Sequence, residues 1–136
     1  MVKLIVGVQG TGKTKTLLDM VNEAVDNSKG CVVCLERGTK LKFGVKYQAR
    51  LINTSEYGVW GADALYGFIC GLYAANYDIT HIFIDSALKI CGEDIEGFAK
   101  FLELADKISD EHNFRCIITA SASPEDLPES ILKYAE

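Results

Sequence analysis

Short apolar runs alternating with helix-patterned stretches predict an α/β fold, a mainly parallel sheet with helices packed on it. Three observations carry this reading. Residues 2–6, 31–35, 81–84 and 114–120 form almost unbroken apolar runs, as strands buried on both faces do. Between them lie segments with apolar residues at helical spacing, such as Leu17, Leu18, Val21, Ala24 and Val25. The turn joining the first run to the first helix is rich in glycine, as a βα turn that approaches a ligand closely must be.

That turn is the most informative stretch of the chain. Gly7-Val8-Gln9-Gly10-Thr11-Gly12-Lys13-Thr14 fully matches G-x-x-x-x-G-K-[ST], the phosphate-binding P-loop, in its required strand–turn–helix setting. Its glycines let backbone N–H groups turn inward around phosphates. The helix that follows adds free N–H groups and the positive end of its dipole. Lys13 supplies a full positive charge. Thr14 supplies a hydroxyl for Mg²⁺, which keeps most of its waters when bound. Together with Lys15, these residues form the expected nucleotide-binding set, and ATP and Mg²⁺ are the expected cofactors.

A chain of 136 residues is long enough for one core, and 49% hydrophobic with 24% charged residues is an ordinary globular mix. A formal net charge of -5 argues against a general nucleic-acid coat or an anionic membrane as partner, while leaving room for a local basic patch. The apolar run at 4–6 is too short for a signal peptide, and no segment reaches the ~20 apolar residues of a membrane helix. Five cysteines, an odd number, read as free thiols in a reducing cytoplasm.

Taken in order, the first helix is expected over 14–28, stopped by Gly30 as a left-handed cap. Cys31 and Cys34 have metal-like spacing but would point to opposite faces of a strand. Residues 39–50 (TKLKFGVKYQAR) alternate apolar and basic positions, which predicts a small hairpin or flap. Its lysines protect an edge on one reading. On the other they meet phosphates or a nucleic-acid strand beside Phe43 and Tyr47. Another short strand is expected at 51–53 and a loop at 54–62. A helix follows at 63–75, whose Gly67 and Gly71 would pack closely on the sheet. Trp60, Tyr66, Tyr73 and Tyr77 are expected to cluster nearby. Residues 81–86 place Asp85 at the end of a buried strand, where its carboxylate would hold Mg²⁺ opposite Thr14. A loop over 87–93 leads to a helix over 94–112, with Asp106, Asp110 and Glu111 on its solvated face. Thr119 and Ser121 lie at the end of the strand at 114–120, where a hydroxyl would lie beside a γ-phosphate if this strand sits between the other two. Ser123-Pro124-Glu125-Asp126 is a helix-start signature. His81 and His112 have no ligand-spaced neighbours and read as structural.

On Gly7 to Thr14 and Asp85, and on its element order, the chain resembles the P-loop NTPase superfamily. The topology is similar over the whole length and specific only at those motifs. The resemblance is to the RecA-like and AAA+-like branch, and also to small stand-alone ATP-binding proteins of Gram-positive bacteria. It implies a minimal three-layer αβα nucleotide-binding domain over 1–136, with the strands ordered 31–35, 81–84, 114–120, 2–6. It implies a γ-phosphate-sensing role for Thr119 or Ser121 beside Lys13. Many members place a glutamate directly after the aspartate, where this chain has Ser86. Others carry it at the tip of the second strand, so Glu36 becomes the candidate general base and Glu93 a second one. No arginine finger is visible in the chain's own motifs. Arg37 or Arg50 from a neighbouring subunit would serve, and without one turnover is expected to be slow, since such a residue is worth ~10³ or more. The expected function is Mg-ATP binding with weak or partner-stimulated hydrolysis. Two alternatives stand beside it, a nucleoside or nucleotide kinase and a non-hydrolysing ATP-gated adaptor. The absence of an N-K-x-D-like guanine reader favours ATP over GTP.

Overall fold

A computed structural model of the chain describes residues 1–135. It contains a five-stranded sheet in the order β1-β5-β4-β2-β3, with every neighbouring pair parallel. The strands are β1 (Val2–Gly7), β2 (Cys31–Glu36), β3 (Arg50–Asn53), β4 (Ile79–Ile84) and β5 (Arg115–Ser121). The inserted position of β5, between β1 and β4, agrees with the expected order. The helices are α1 (Lys13–Asn27), α2 (Ala62–Ala75), α3 (Ala87–Ile90), α4 (Ile95–His112) and α5 (Glu129–Leu132).

Parallel crossovers are right-handed, so the direction of chain travel decides which face each helix covers. The step from β1 to β2 runs one way across the sheet and the steps from β3 to β4 to β5 run back. Two cores result. Leu17, Val21 and Ala24 of α1 pack on Val32, Cys34, Phe83 and Ile117. Leu65 and Ile69 of α2, with Phe98, Phe101, Leu102 and Ala105 of α4, pack on Leu4, Val33, Leu35, Ile82 and Ile118. Cys34 lies in the first core and Cys31 borders the second, so the pair does face opposite ways. All five cysteines are free, and no group of three or more His, Cys, Asp or Glu side chains placed to hold a metal ion stands among the described residues. No helix there is long and apolar enough to cross a membrane.

Several local expectations are corrected. Residues 39–49 are not a hairpin but a run of turns, closed by bonds such as Gly44 N to Leu41 O at 3.0 Å and Ala49 N to Lys46 O at 3.0 Å. Gly30 does not cap α1 in a left-handed conformation: Ser28 follows the helix with extended backbone. Glycine is required at 30 for space, since a Cβ would stand 2.3 Å from the Asp78 carbonyl oxygen. Gly67 and Gly71 face outward with nothing within 4 Å of where a Cβ would sit, so they do not pack on the sheet. The aromatic group divides. Tyr73 packs with Tyr77, His112 and Phe114, while Trp60 lies apart under the Arg37 guanidinium, 4.5 Å from its ring centre. The expected loops at 54–62 and 87–93 contain a 3₁₀ turn (Thr54–Tyr57) and the short α3. Asp106 is not merely solvated, because it accepts the Val2 N–H at 3.0 Å and ties α4 to β1.

Candidate functional site

The strand register sets the site. Gly7 pairs with Ser121 and Leu35 with Ile84, and Asp85 and Thr119 lie one residue beyond the Ile84–Ile118 pair. The C-terminal edge of the sheet therefore presents Gly7, Ser121, Thr119, Asp85 and Glu36 side by side. This is the edge where open α/β sheets bind ligands.

Gly10 and Gly12 sit at φ +87° and +85°, a conformation that side chains strain. Gly12 is also the residue that precedes α1, which begins at Lys13 rather than further upstream. No side chain caps this helix, and its first turn has no acidic residue. Its leading N–H groups and positive dipole end thus lack a side-chain partner. The Val8 carbonyl collects two donors, Thr11 Oγ1 at 2.7 Å and Lys13 Nζ at 3.0 Å. Lys13 is buried, which holds its ammonium over the loop. Lys15 points away and pairs with Asp19 at 3.3 Å along the exposed side of α1.

Opposite the loop, Asp85 is 6% exposed. Thr119 Oγ1 donates to its Oδ1 at 2.7 Å and accepts the Ser86 N–H at 2.7 Å. Ser86 adopts a left-handed backbone (φ +55°), which is uncommon for a non-glycine residue. Thr14 Oγ1 lies 3.5 Å from both Asp85 oxygens, too far for a strong hydrogen bond. A hydroxyl and a carboxylate facing one another at this range are the hard oxygen donors that suit Mg²⁺. The two hydroxyl candidates have different surroundings. Thr119 is buried against Asp85, whereas Ser121 is exposed and lines the cleft.

The cleft, about 220 Å³, is lined by Gln9, Lys13, Thr14, Asp85 and Ser121, and also by Lys40 and Lys89. Three lysines converge on it in a chain whose net charge is -5. Lys40 and Lys89 were not among the expected site residues. Lys40 comes from the segment read as a hairpin and Lys89 from α3, and neither belongs to a motif. A larger hollow, about 440 Å³, opens at the other end of the sheet between the last turns of α1 and His81. It contains none of the motif residues and reflects a sheet face that α1 covers only in part.

Glu36 stands beside Asp85 but does not line the cleft. It is 2% exposed, and its two oxygens accept the Lys40 and Leu41 N–H groups at 3.0 and 2.9 Å. Burial raises its pKa above the usual carboxylate range. The two amide bonds and Lys40 oppose that shift, and the Asp85 charge adds to it. Glu93 is exposed at a positive φ beyond α3 and also lies outside the cleft lining.

No protein-family profile and no curated protein matches the sequence. Solved structures do match in shape. Flagellar accessory protein FlaH from Methanocaldococcus jannaschii superposes with a TM-score of 0.62 at 17% identity, over 97% of this chain and 65% of that one. PCH-2 from C. elegans superposes with a TM-score of 0.57 at 17% identity, over 99% and 33%. The chain thus spans about two thirds of FlaH and one third of PCH-2. The shared feature is the fold, an α/β architecture with a mainly parallel central sheet.

Proposed function

We propose that this chain binds Mg-ATP between the Gly7–Thr14 loop and Asp85. The supporting observation is the convergence on one cleft of Lys13, the uncapped start of α1, and the facing Thr14 and Asp85 oxygens. The loop and helix start would hold the phosphates. Thr14 and Asp85 would hold the metal, Asp85 through a water, and Mg²⁺ would supply charge neutralisation at the phosphates. Lys40 and Lys89 add charge to the same cleft. Calorimetric titration of ATP with Mg²⁺ into the intact protein tests this reading. Binding is expected for the parent, and Lys13→Ala should weaken it at least tenfold. Equal affinity of the two would exclude the site.

Hydrolysis is expected to be slow unless a partner stimulates it. Both Glu36 oxygens are engaged by backbone amides, so orienting a water would require that carboxylate to move. The same observation favours a second reading, a nucleotide-gated adaptor that does not turn over. Phosphate release without an added acceptor separates the two. Turnover that disappears in Glu36→Gln while ATP binding persists supports hydrolysis with Glu36 as base. No release from the parent supports the adaptor.

A further inference from the structure

Residues 37–50 contain Arg37, Lys40, Lys42, Lys46 and Arg50 and no acidic residue, in a chain with 19 acidic and 14 basic residues. Lys46 is paired with Asp26 at 2.7 Å. The other four have no ion pair among the described residues. Phe43 and Tyr47 are 94% and 91% exposed, more than any other large hydrophobic side chain described.

Such exposure would mean little on a loose loop, but this segment is built. Leu41 and Ala49 are buried against α1, with Val45 beside them. Asn22 of α1 fastens the middle, its Nδ2 donating to Gly44 O at 2.9 Å and its Oδ1 accepting Lys46 N–H at 3.0 Å. Glu36 fastens the start through Lys40 and Leu41. With Leu41, Val45 and Ala49 turned inward, Phe43 and Tyr47 are left facing water. Edge protection does not account for the lysines, because the segment is not a strand. Exposed apolar groups rimmed by charge mark interaction surfaces.

We propose that this segment is a binding surface for single-stranded nucleic acid. Phe43 and Tyr47 would stack on bases, and Lys40, Lys42 and Arg50 would take backbone phosphates. Stacking on an exposed ring needs an unpaired base face, which a single strand offers and a duplex does not. Of the acidic partners that would satisfy the cations, a single strand also offers a flat base face to each ring at every nucleotide. Of these residues only Lys40 also lines the cleft, so the test uses the nucleotide-free chain.

Fluorescence anisotropy of labelled 20-nucleotide single strands, DNA and RNA, with the nucleotide-free full chain tests it. Saturable binding is expected, at least tenfold tighter than to a duplex of equal length. Three phosphate contacts predict a log–log salt slope of about -2, at about -0.7 per contact for single strands. Phe43→Ala combined with Tyr47→Ala should weaken binding about thirtyfold or more, since each ring stacks one base. The melting temperature should not change, since both rings are exposed. Lys42→Glu should weaken binding and flatten the slope. The proposal is overturned by no saturable binding at low salt, by equal binding of duplex, or by an unchanged affinity in the double variant. Displacement of the strand by a polyglutamate peptide with no effect of the ring variants would reassign the surface to an acidic protein.

Discussion

Thr119 uses its hydroxyl twice, donating to Asp85 and accepting from the Ser86 N–H. One buried side chain thus fixes both the carboxylate and the left-handed backbone after it. Thr119→Val keeps the shape and removes both bonds. An unpaired buried polar group costs about 1–3 kcal/mol, so the denaturation midpoint should fall. ATP affinity measured with Mg²⁺ should drop more than affinity measured in EDTA. Equal losses in both would argue that Thr119 does not act through Asp85. At this scale the loop residues were legible because identity and spacing alone define them. The separate surroundings of Thr119 and Ser121 were not. Both lie on the same side of a strand, and only the pairing of β5 with β4 sets Thr119 level with Asp85. The approach of Lys40 and Lys89 to the cleft was illegible for a related reason: it depends on a run of turns and on the short α3, neither of which carries a motif.

Among the elements, α1, α2 and α4 were readable from apolar residues at helical spacing and the four long strands from apolar runs, whereas α3 and 39–49 were not. Its sequence alternates with period two, Leu41, Phe43, Val45, Tyr47. Its burial runs with period four, Leu41, Val45, Ala49. Phe43 and Tyr47 mimic a strand face while standing in water, and period two is the sign by which strands are recognised. Gly30 was misread in a similar way. A glycine after a helix reads as a cap, but here it admits the neighbouring chain. An alanine Cβ would meet the Asp78 carbonyl oxygen at 2.3 Å and Thr80 Cγ2 at 2.6 Å. Gly30→Ala should therefore destabilise by about 1–3 kcal/mol, the usual cost of overpacking. A thermal melt matching the parent's would show that β2 and the turn before β4 separate without cost.

Across the whole molecule, the order of four of the five strands followed from the resemblance to the RecA-like and AAA+-like branch, in which the strand after the aspartate strand inserts beside the first, and the edge place of β3 was not foreseen. The unequal cover of its two faces was less so, and it leaves His81 half-buried at the lower end. The His81 ring stacks on Phe83 at 5.8 Å, and its Nδ1 lies 2.8 Å from Thr80 Oγ1. Burial, and then the Arg115 charge, hold its pKa below the ordinary value near 6.5. The unfolded chain therefore takes up a proton at higher pH than the fold does. The stability His81 contributes is full above about pH 6.5 and is lost as pH falls below it. Glu36 works in the opposite sense, because its raised pKa favours the fold at the acid end of its window. Urea titrations at pH 7 and pH 5 should show a smaller stability difference for His81→Gln than for the parent. An unchanged difference would place the acid sensitivity elsewhere.

Glu36 also joins two parts of the molecule through a single side chain. Its oxygens latch the start of the basic segment, and Lys40, one of the latched residues, lines the cleft at the C-terminal sheet edge. Turning that carboxylate toward a water would release the amides of Lys40 and Leu41 together. On the proposed reading, in which Glu36 activates water, that role and the closed turn are alternative positions of one carboxylate. Any event that draws on Glu36 for chemistry also loosens the footing of Phe43 and Tyr47.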